Sequence, residues 1–167
     1  PQEAELTAEL ARVLDEEVLD DERAVLAYEA YLKLVPGDVK AEDTIERSDA
    51  RRGKWQELVK RYVEEAKAAG EGSFRSSLLV SAAETAYRYG RPALEGEKGK
   101  KKQLAALIEE IVLGLKEAIE IDPKNRRASL LLERVYRSEE RWDELAATLE
   151  QLATEAPAKE EKIAGWV

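Results

Sequence analysis

The side chains in this sequence that come closest to a catalytic or metal-binding pattern are pairs of carboxylates. Glu16 and Asp20 are separated by about one helical turn, a spacing at which two carboxylates can bind a hard cation or act as an acid and a base. The chain contains 36 acidic residues, so such pairs also arise by chance on a solvated helix face. We prefer the solvated face and keep a carboxylate-based, metal-dependent hydrolase as an alternative.

Other common catalytic arrangements are absent from the sequence. It contains no histidine and no cysteine, which excludes a Ser-His-Asp triad, a cysteine nucleophile and a conventional zinc site. Gly70 and Gly72 lack the lysine of a phosphate-binding loop and follow no strand, so they indicate a connection that ends in Ser73 as a helix N-cap. We therefore expect a protein that is not an enzyme and has no catalytic, cofactor-binding or metal-binding residue.

The composition predicts that helices position whatever site exists. Apolar residues make up 44% of the 167 residues and charged residues 38%. The apolar group is dominated by Ala and Leu, and the charged group by Glu, Lys and Arg. This mixture is typical of long amphipathic helices. A chain of this length fits one domain, so we expect a single all-α domain over residues 1–167.

The charge and the hydropathy pattern restrict the partners. The net charge of −9 disfavours generic binding to nucleic acid. No apolar run approaches the roughly 18 residues of a membrane span, and no N-terminal signal pattern is visible. A cytoplasmic location fits these observations. The chain begins with Pro1 and ends in what reads as an unfinished helix at Trp166, so it could be a piece of a longer protein with targeting signals outside it.

One pattern recurs along the chain: an apolar residue, an apolar or aromatic residue four positions later, and a proline or glycine eight positions after that. The first positions of the four copies are separated by 34, 53 and 34 residues, and the long spacing is the period plus a 19-residue insertion. The copies are Ala24, Tyr28 and Pro36; Leu58, Tyr62 and Gly70; Ile111, Leu115 and Pro123; and Leu145, Leu149 and Pro157.

Each copy predicts the second helix of a helix pair, because apolar residues around it recur at steps of three or four and the proline or glycine then ends the helix. Asp38 and Asn125 follow two of these ends and suit the N-cap of the next helix. The first helices are expected at about 4–18, 39–52, 73–89 and 126–138. The third could instead start near Ser76, so its register stays open. The prediction is eight helices in four antiparallel pairs.

The pattern resembles the tetratricopeptide repeat over about residues 3–157. The 34-residue period, the Ala24 and Tyr28 step and the prolines carry the resemblance, and Gly53 with Trp55 is similar to the family's small residue and aromatic at the turn between helices. The resemblance implies a right-handed superhelical α-solenoid in which Trp55 and Trp142 pack between helices. The implied repeats are about 3–36, 37–70, 73–123 with an insertion near 91–103, and 124–157, with 158–167 starting a capping or further helix.

The resemblance also implies a function, because proteins of this family generally bind peptides or protein surfaces in a concave face lined by the first helices. The positions carried over are Leu6, Glu9, Leu10 and Val13 in the first pair, Lys40, Asp43, Thr44, Arg47 and Arg51 in the second, and Arg127, Leu130, Leu131, Arg134 and Arg137 in the fourth. We expect Lys40, Arg47, Arg51, Arg127, Arg134 and Arg137 to form the partner-binding set. Arginine recognises carboxylates and phosphates through paired donors, so an acidic peptide is the ligand these residues favour.

Structural roles for the arginines and for three tyrosines stay open as alternatives. The arginines could pair with neighbouring acids, as Glu133 can with Arg137 at a spacing of four. The aromatics Tyr28, Tyr31 and Tyr62 fall on second helices, where a core role is more common than a ligand platform.

The insertion carries a basic cluster of Lys98, Lys100, Lys101 and Lys102 among glycines. Cations are unfavourable at a helix N-terminus, so the cluster predicts a loop that leads to a helix starting near Lys102 or Gln103. It could contact an acidic partner, although a solvated loop explains it as well.

Three functions follow from the sequence. The leading one is a non-enzymatic scaffold that binds another protein or peptide. A self-assembly or spacer segment of a longer array is the second, with Ile163 and Trp166 near the chain end as its contact residues. The metal-dependent hydrolase is the third.

Overall fold

The computed structural model describes residues 2–70 and 72–155, and all regular secondary structure within those ranges is helical. The prediction of an all-α chain is therefore confirmed. Among the described helices, none is both long and apolar enough to cross a membrane. The helices are α1 (Gln2–Arg12), α2 (Asp21–Leu34), α3 (Val39–Gly53), α4 (Trp55–Ala68), α5 (Ser73–Thr85), α6 (Arg91–Glu95), α7 (Lys101–Ile121), α8 (Arg126–Ser138) and α9 (Trp142–Glu155).

Two of the helices continue into π-helical turns. The segment Val13–Val18 extends α1, and the segment Ala86–Gly90 joins α5 to α6. With these turns included, the four predicted first helices coincide with helical segments of the structure. The predicted anchor at Pro157, the segment 158–167 and the contact residues Ile163 and Trp166 lie outside the described residues.

Short polar side chains set the starts of three helices. Asp20, Asp38 and Asn125 each occupy an N-cap and accept a hydrogen bond from a backbone N–H three residues later. The predictions for Asp38 and Asn125 are thus confirmed. The prediction for Ser73 is wrong, because α5 begins at Ser73 itself and Gly72 holds the cap position with a φ of 128°. That conformation favours glycine and needs no side-chain cap.

Helix α5 starts at Ser73, the earlier of the two expected starts, and not at Ser76. Ser76 has another role. It is fully buried, and its hydroxyl donates to the carbonyl of Ala118 at 2.8 Å and accepts from the Asn125 side-chain amide at 2.9 Å. These bonds connect α5 to the end of α7 and the start of α8.

Part of the insertion is helical, which corrects the expectation of a loop over 91–103. Helix α6 covers Arg91–Glu95, with Pro92 in its first turn, where a missing N–H costs nothing. Helix α7 begins at Lys101, so the loop is confined to residues 96–100. The basic cluster therefore straddles the loop and the first turn of α7.

Consecutive helices pack on one another in chain order, and α5 lies between α4 and α7. Helix α5 carries apolar residues on most of its circumference, among them Leu78, Leu79 and Val80, which are at most 8% exposed, while Ser77 is exposed. So broad an apolar surface has to be covered by more than one neighbouring helix. The main core is built around it and includes Ile111, Leu115 and other buried residues of α7, and Leu132, Val135 and Tyr136 of α8.

A second, smaller core joins α1 to α2. It contains Ala11, Leu14, Ala24 and Ala27, with Tyr28 packed against it. Because these side chains are mostly small, the N-terminal part of the chain buries less apolar surface than the part around α5.

Polar contacts hold α3 against α2. The Asp21 carboxylate is 4% exposed and accepts from the Ser48 hydroxyl at 2.5 Å and from the Arg52 guanidinium at 2.7 Å. The hydrogen bond to Asp21 raises the pKa of Arg52, against the effect of burial. A buried carboxylate needs such partners, because an unpaired charge in the interior is strongly destabilising.

Trp55 packs on Gly90, while Trp142 does not pack as expected. A Cβ atom placed on Gly90 would lie 2.7 Å from the Trp55 ring, so the backbone of the π-helical turn and the indole are in direct contact. Trp142 is 57% exposed, which contradicts its predicted packing role. Its position at the start of α9 leaves the ring on the surface.

We expect Gly90→Ala to lower the free energy of unfolding by about 1 to 3 kcal/mol, because the new methyl group overlaps a bulky ring. Gly114→Ala is the matched control. Gly114 also lies in a helix, but a Cβ there meets nothing within 4 Å, so this change should raise the stability by up to about 1 kcal/mol. Urea unfolding of both variants measures the difference. Equal stability of the two variants would contradict the close contact.

Candidate functional site

A cleft with a volume of about 590 Å³ lies between α1 and α3. Its lining also includes Asp38 before α3 and, from α2 and the second π-helical turn, Asp21, Tyr28, Tyr31, Arg88 and Tyr89. The site is therefore built from helices that are far apart in sequence.

Three of the six predicted partner-binding residues line this cleft. Lys40, Arg47 and Arg51 lie on α3 at offsets of seven and four residues, which places them on one face of the helix. All three are exposed, and Thr44 lies on the same face. The predicted groove residue Asp43 is not part of the lining.

The cations on α3 have carboxylates nearby, Asp38 for Lys40 and Asp15 for Arg47, but form no ion pairs with them. The Nε atom of Arg47 donates to the backbone carbonyl of Asp43 at 3.2 Å. Within the described residues, Lys40, Arg47 and Arg51 make no ion pair with a carboxylate. Their charges are therefore not compensated by a direct ion pair among the described residues.

Helix α1 presents a different face from the predicted one. Of the four residues expected in the groove, Glu9 lines the cleft, whereas Leu6 and Leu10 are 72% and 52% exposed outside it and Val13 is also absent from its lining. Acidic residues take their place. The cleft-lining residues of α1 and its π-helical turn are Glu5, Ala8, Glu9, Arg12, Asp15 and Glu16.

Arg12 is surrounded by carboxylates on this wall. Its guanidinium lies 2.7 Å from Glu9, 3.0 Å from Glu16 and 3.2 Å from Glu17. The hydrogen bond from Arg12 holds the pKa of Glu9 below its usual value. One guanidinium is thus shared by three carboxylates, so the α1 wall of the cleft keeps a net negative charge.

The two π-helical turns meet at the bottom of the cleft. Arg88 donates to both the backbone carbonyl and the carboxylate of Asp15. The Arg88 side chain is 11% exposed and that of Asp15 is 25% exposed. Burial raises the pKa of the Asp15 carboxyl, and the charge of Arg88 acts in the opposite direction. π-Helical turns often occur at functional sites because they redirect side chains, and here they bring an arginine and an aspartate together.

Tyrosines form part of the lining. Tyr28 lines the cleft and also packs against the smaller core, as expected, whereas Tyr31 lines the cleft and is not among the residues packed against either core described above. The Tyr31 hydroxyl donates to Asp38 at 3.0 Å, which raises the pKa of Tyr31. The pKa of Asp38 is lowered chiefly by the hydrogen bond from the Ala41 backbone N–H and in addition by this hydroxyl. Burial raises the pKa of Tyr28 and of Tyr89. Tyr62 does pack against the main core, as expected.

The three predicted arginines of α8 do not join the cleft. Arg127 pairs with Glu84 at 2.6 Å, and Arg137 pairs with Glu133 at 2.9 Å. Arg134 and Arg137 line a separate depression of about 530 Å³ with Leu130. The alternative of pairing with neighbouring acids therefore holds for Arg137, and the six residues divide into two sets. Of the other groove residues expected on α8, Leu131 is buried in the main core.

The carboxylates with apparent metal-binding spacing have other partners. Glu16 accepts from Arg12 at 3.0 Å, and Asp20 caps α2. In the parts of the chain that the structure describes, no three acidic, histidine or cysteine side chains are grouped so that they could hold a metal ion. In the basic cluster, Lys100 pairs with Glu97 at 2.5 Å, while Lys98, Lys101 and Lys102 are exposed.

Sequence reasoning missed Arg88 and Tyr89 as cleft residues. A signal for Arg88 is present, because it is the only cation between Ser76 and Gly90, a stretch rich in apolar residues. A charged residue in an apolar helix usually has a buried partner. The sequence does not reveal that the partner is Asp15.

Comparisons of the chain with protein-family models, with curated proteins and with solved structures gave no match. The resemblance to the tetratricopeptide repeat therefore depends on the residue pattern of this chain alone. It stays a prediction.

We expect Asp15→Ala to lower the free energy of unfolding by about 2 to 4 kcal/mol, because it removes the carboxylate that compensates the charge of the largely buried Arg88 guanidinium and leaves only the backbone carbonyl as an acceptor. The double variant Asp15→Ala with Arg88→Leu removes the unpaired charge as well. The decrease in the free energy of unfolding of this double variant should be smaller than the sum of the decreases in the two single variants. Urea unfolding of the three variants gives the coupling energy, and strictly additive losses would show that the two side chains do not interact.

Proposed function

We propose that this chain is a non-enzymatic scaffold that binds an acidic peptide or protein segment in the cleft between α1 and α3. The observation that carries the proposal is the row of Lys40, Arg47 and Arg51, which face the cleft without an ion pair among the described residues. Arginine side chains offer paired donors that fit a carboxylate. A ligand carboxylate would therefore find donors that the protein itself leaves unused.

The size and lining of the cleft support a ligand of this kind. Its volume of about 590 Å³ falls within the range of roughly 300 to 1,000 Å³ that is usual for ligand pockets. The tyrosines beside the cations add flat surfaces and hydroxyl groups, which suit peptide backbone as well as side chains. The combination of exposed cations and aromatic rings is common where proteins recognise segments of other proteins.

We further propose that the architecture is a tetratricopeptide-like, right-handed α-solenoid of four helix pairs. The 34-residue spacing and the packing of helices in chain order support it. In such a solenoid, α1 and α3 would be first helices of adjacent pairs, and the cleft would be part of the concave face.

A self-assembly role is the second candidate, and one observation favours it. Leu6 and Leu10 are 72% and 52% exposed, and they lie one turn apart on α1. A helix face of this kind could stack on another repeat or another copy of the chain. A mass that rises with protein concentration would support this role.

We expect Arg47→Glu to abolish capture of the partner, because a carboxylate would then face the ligand carboxylate. The test is a pull-down from native lysate with the parent chain, Arg47→Glu and Arg134→Glu, followed by mass spectrometry. Arg134→Glu is the matched control, since it makes the same change of charge on a first helix outside the cleft. Circular dichroism first confirms that all three are equally helical.

A protein that the parent and Arg134→Glu retain, and Arg47→Glu loses, would support the cleft as the binding site. Equal capture by all three versions would contradict it. If Arg134→Glu alone fails to capture a protein that the parent captures, the binding site lies on α8 instead.

A further inference from the structure

The two long walls of the cleft carry opposite charges. The wall formed by α1 and its π-helical turn contributes four carboxylates and one guanidinium, from Glu5, Glu9, Asp15, Glu16 and Arg12. The wall formed by α3 and its N-cap contributes three cations, from Lys40, Arg47 and Arg51, and one carboxylate, from Asp38, so positive charge is in excess. A ligand in the cleft therefore meets negative charge on one side and positive charge on the other.

The acidic wall is not neutralised by its own arginine. Arg12 is shared by Glu9, Glu16 and Glu17, so negative charge remains after pairing. Glu5 makes no ion pair within the described residues, and it is exposed. Asp15 is the exception, because Arg88 at the bottom of the cleft binds it.

The charges on the two walls extend over similar lengths. Glu5, Glu9 and Glu16 lie at offsets of four and seven residues, and Lys40, Arg47 and Arg51 lie at offsets of seven and four. At a rise of about 1.5 Å per residue, each row is about 16 Å long. An extended peptide advances about 3.3 Å per residue, so about six residues cover that length.

We propose that the occupant of the cleft is an extended peptide segment with alternating charge, whose acidic side chains face α3 and whose basic side chains face α1. Successive side chains of an extended chain point to opposite sides, so an alternating sequence places each sign against the opposite wall. This inference rests on the proposed function and specifies its ligand.

The acidic wall attracts basic side chains of a ligand and also repels ligands that carry only acidic ones. A uniformly acidic segment would satisfy α3 but bring like charges against Glu5 and Glu9, which costs affinity. A segment with all its acidic residues in one block and all its basic residues in the next would match only half of each wall. The order of the charges, and not the net charge of the segment, would decide binding.

The test uses three capped, fluorescein-labelled peptides of eight residues: alternating Glu and Lys, four Glu followed by four Lys, and eight Glu. Binding to the intact chain is followed by fluorescence anisotropy at about 0.15 M salt, where long-range repulsion from the net charge of −9 is largely screened. We expect the alternating peptide to bind at least tenfold more tightly than the block peptide. Because both have the same composition, a difference between them reports charge order alone.

Protein variants test each wall separately. Arg47→Glu and Glu5→Lys should each weaken binding of the alternating peptide about tenfold, whereas Arg134→Glu should leave it unchanged. Glu5 is chosen because its replacement removes no ion pair among the described residues. In addition, Glu5→Lys should strengthen binding of the all-Glu peptide, since the repelling wall has lost a carboxylate.

Three results would overturn the inference. Tighter binding of the all-Glu peptide would show that the acidic wall does not select, while the proposed function would stand. Equal affinity for the alternating and block peptides would mean that the order of the charges does not affect binding. If no peptide binds at concentrations up to about 1 mM, the inference fails, and the pull-down with Arg47→Glu decides independently whether the proposed function fails as well.

Discussion

The structure depends on the burial of α5. The buried apolar residues of this helix contact both α4 and α7, which cover it from two sides, while Ser77 on the remaining side is exposed. Small residues such as Ala82 and Ala83 let the neighbours approach closely, and Ser76 extends the contact to α8 through hydrogen bonds. The hydrophobic effect thus fixes α4, α5, α7 and α8 relative to one another.

The cleft forms where this apolar packing ends. Around α1, α2 and α3 the core is small. Hydrogen bonds and ion pairs between charged and hydroxyl side chains hold these helices together instead, as the contacts of Asp21 and Asp15 show. Polar contacts fix helices at defined distances without filling all the space between them. An open cleft with charged walls is therefore compatible with stability at this end of the molecule, and the same side chains that hold the helices also define the charge that a ligand meets.

Local features of the structure could be predicted from the sequence, and features that need two distant segments could not. The caps at Asp38 and Asn125 and the helix positions follow from short-range hydrogen bonding and periodicity, so they were accessible. On α3, the family resemblance put Arg47 on the helix face that lines the cleft. The face of α1 was assigned by analogy, which put Leu10 where the structure has acidic residues, because the π-helical turn and the contact with Arg88 fix that helix through tertiary contacts. Trp142 was assigned in the same way and lies on the surface.

The contact between Asp15 and Arg88 has a consequence for how the chain unfolds. Linear arrays of helical repeats behave like one-dimensional systems, in which each unit senses only its neighbours and the ends fray independently. This contact joins residues 73 positions apart in sequence and bypasses α3 and α4. It ties the first helix to the central one, so the N-terminal helices cannot detach without opening a link to the middle of the chain. Loss of structure should consequently be more cooperative than in an ideal linear array, and closure of this long loop adds non-local contacts that slow folding.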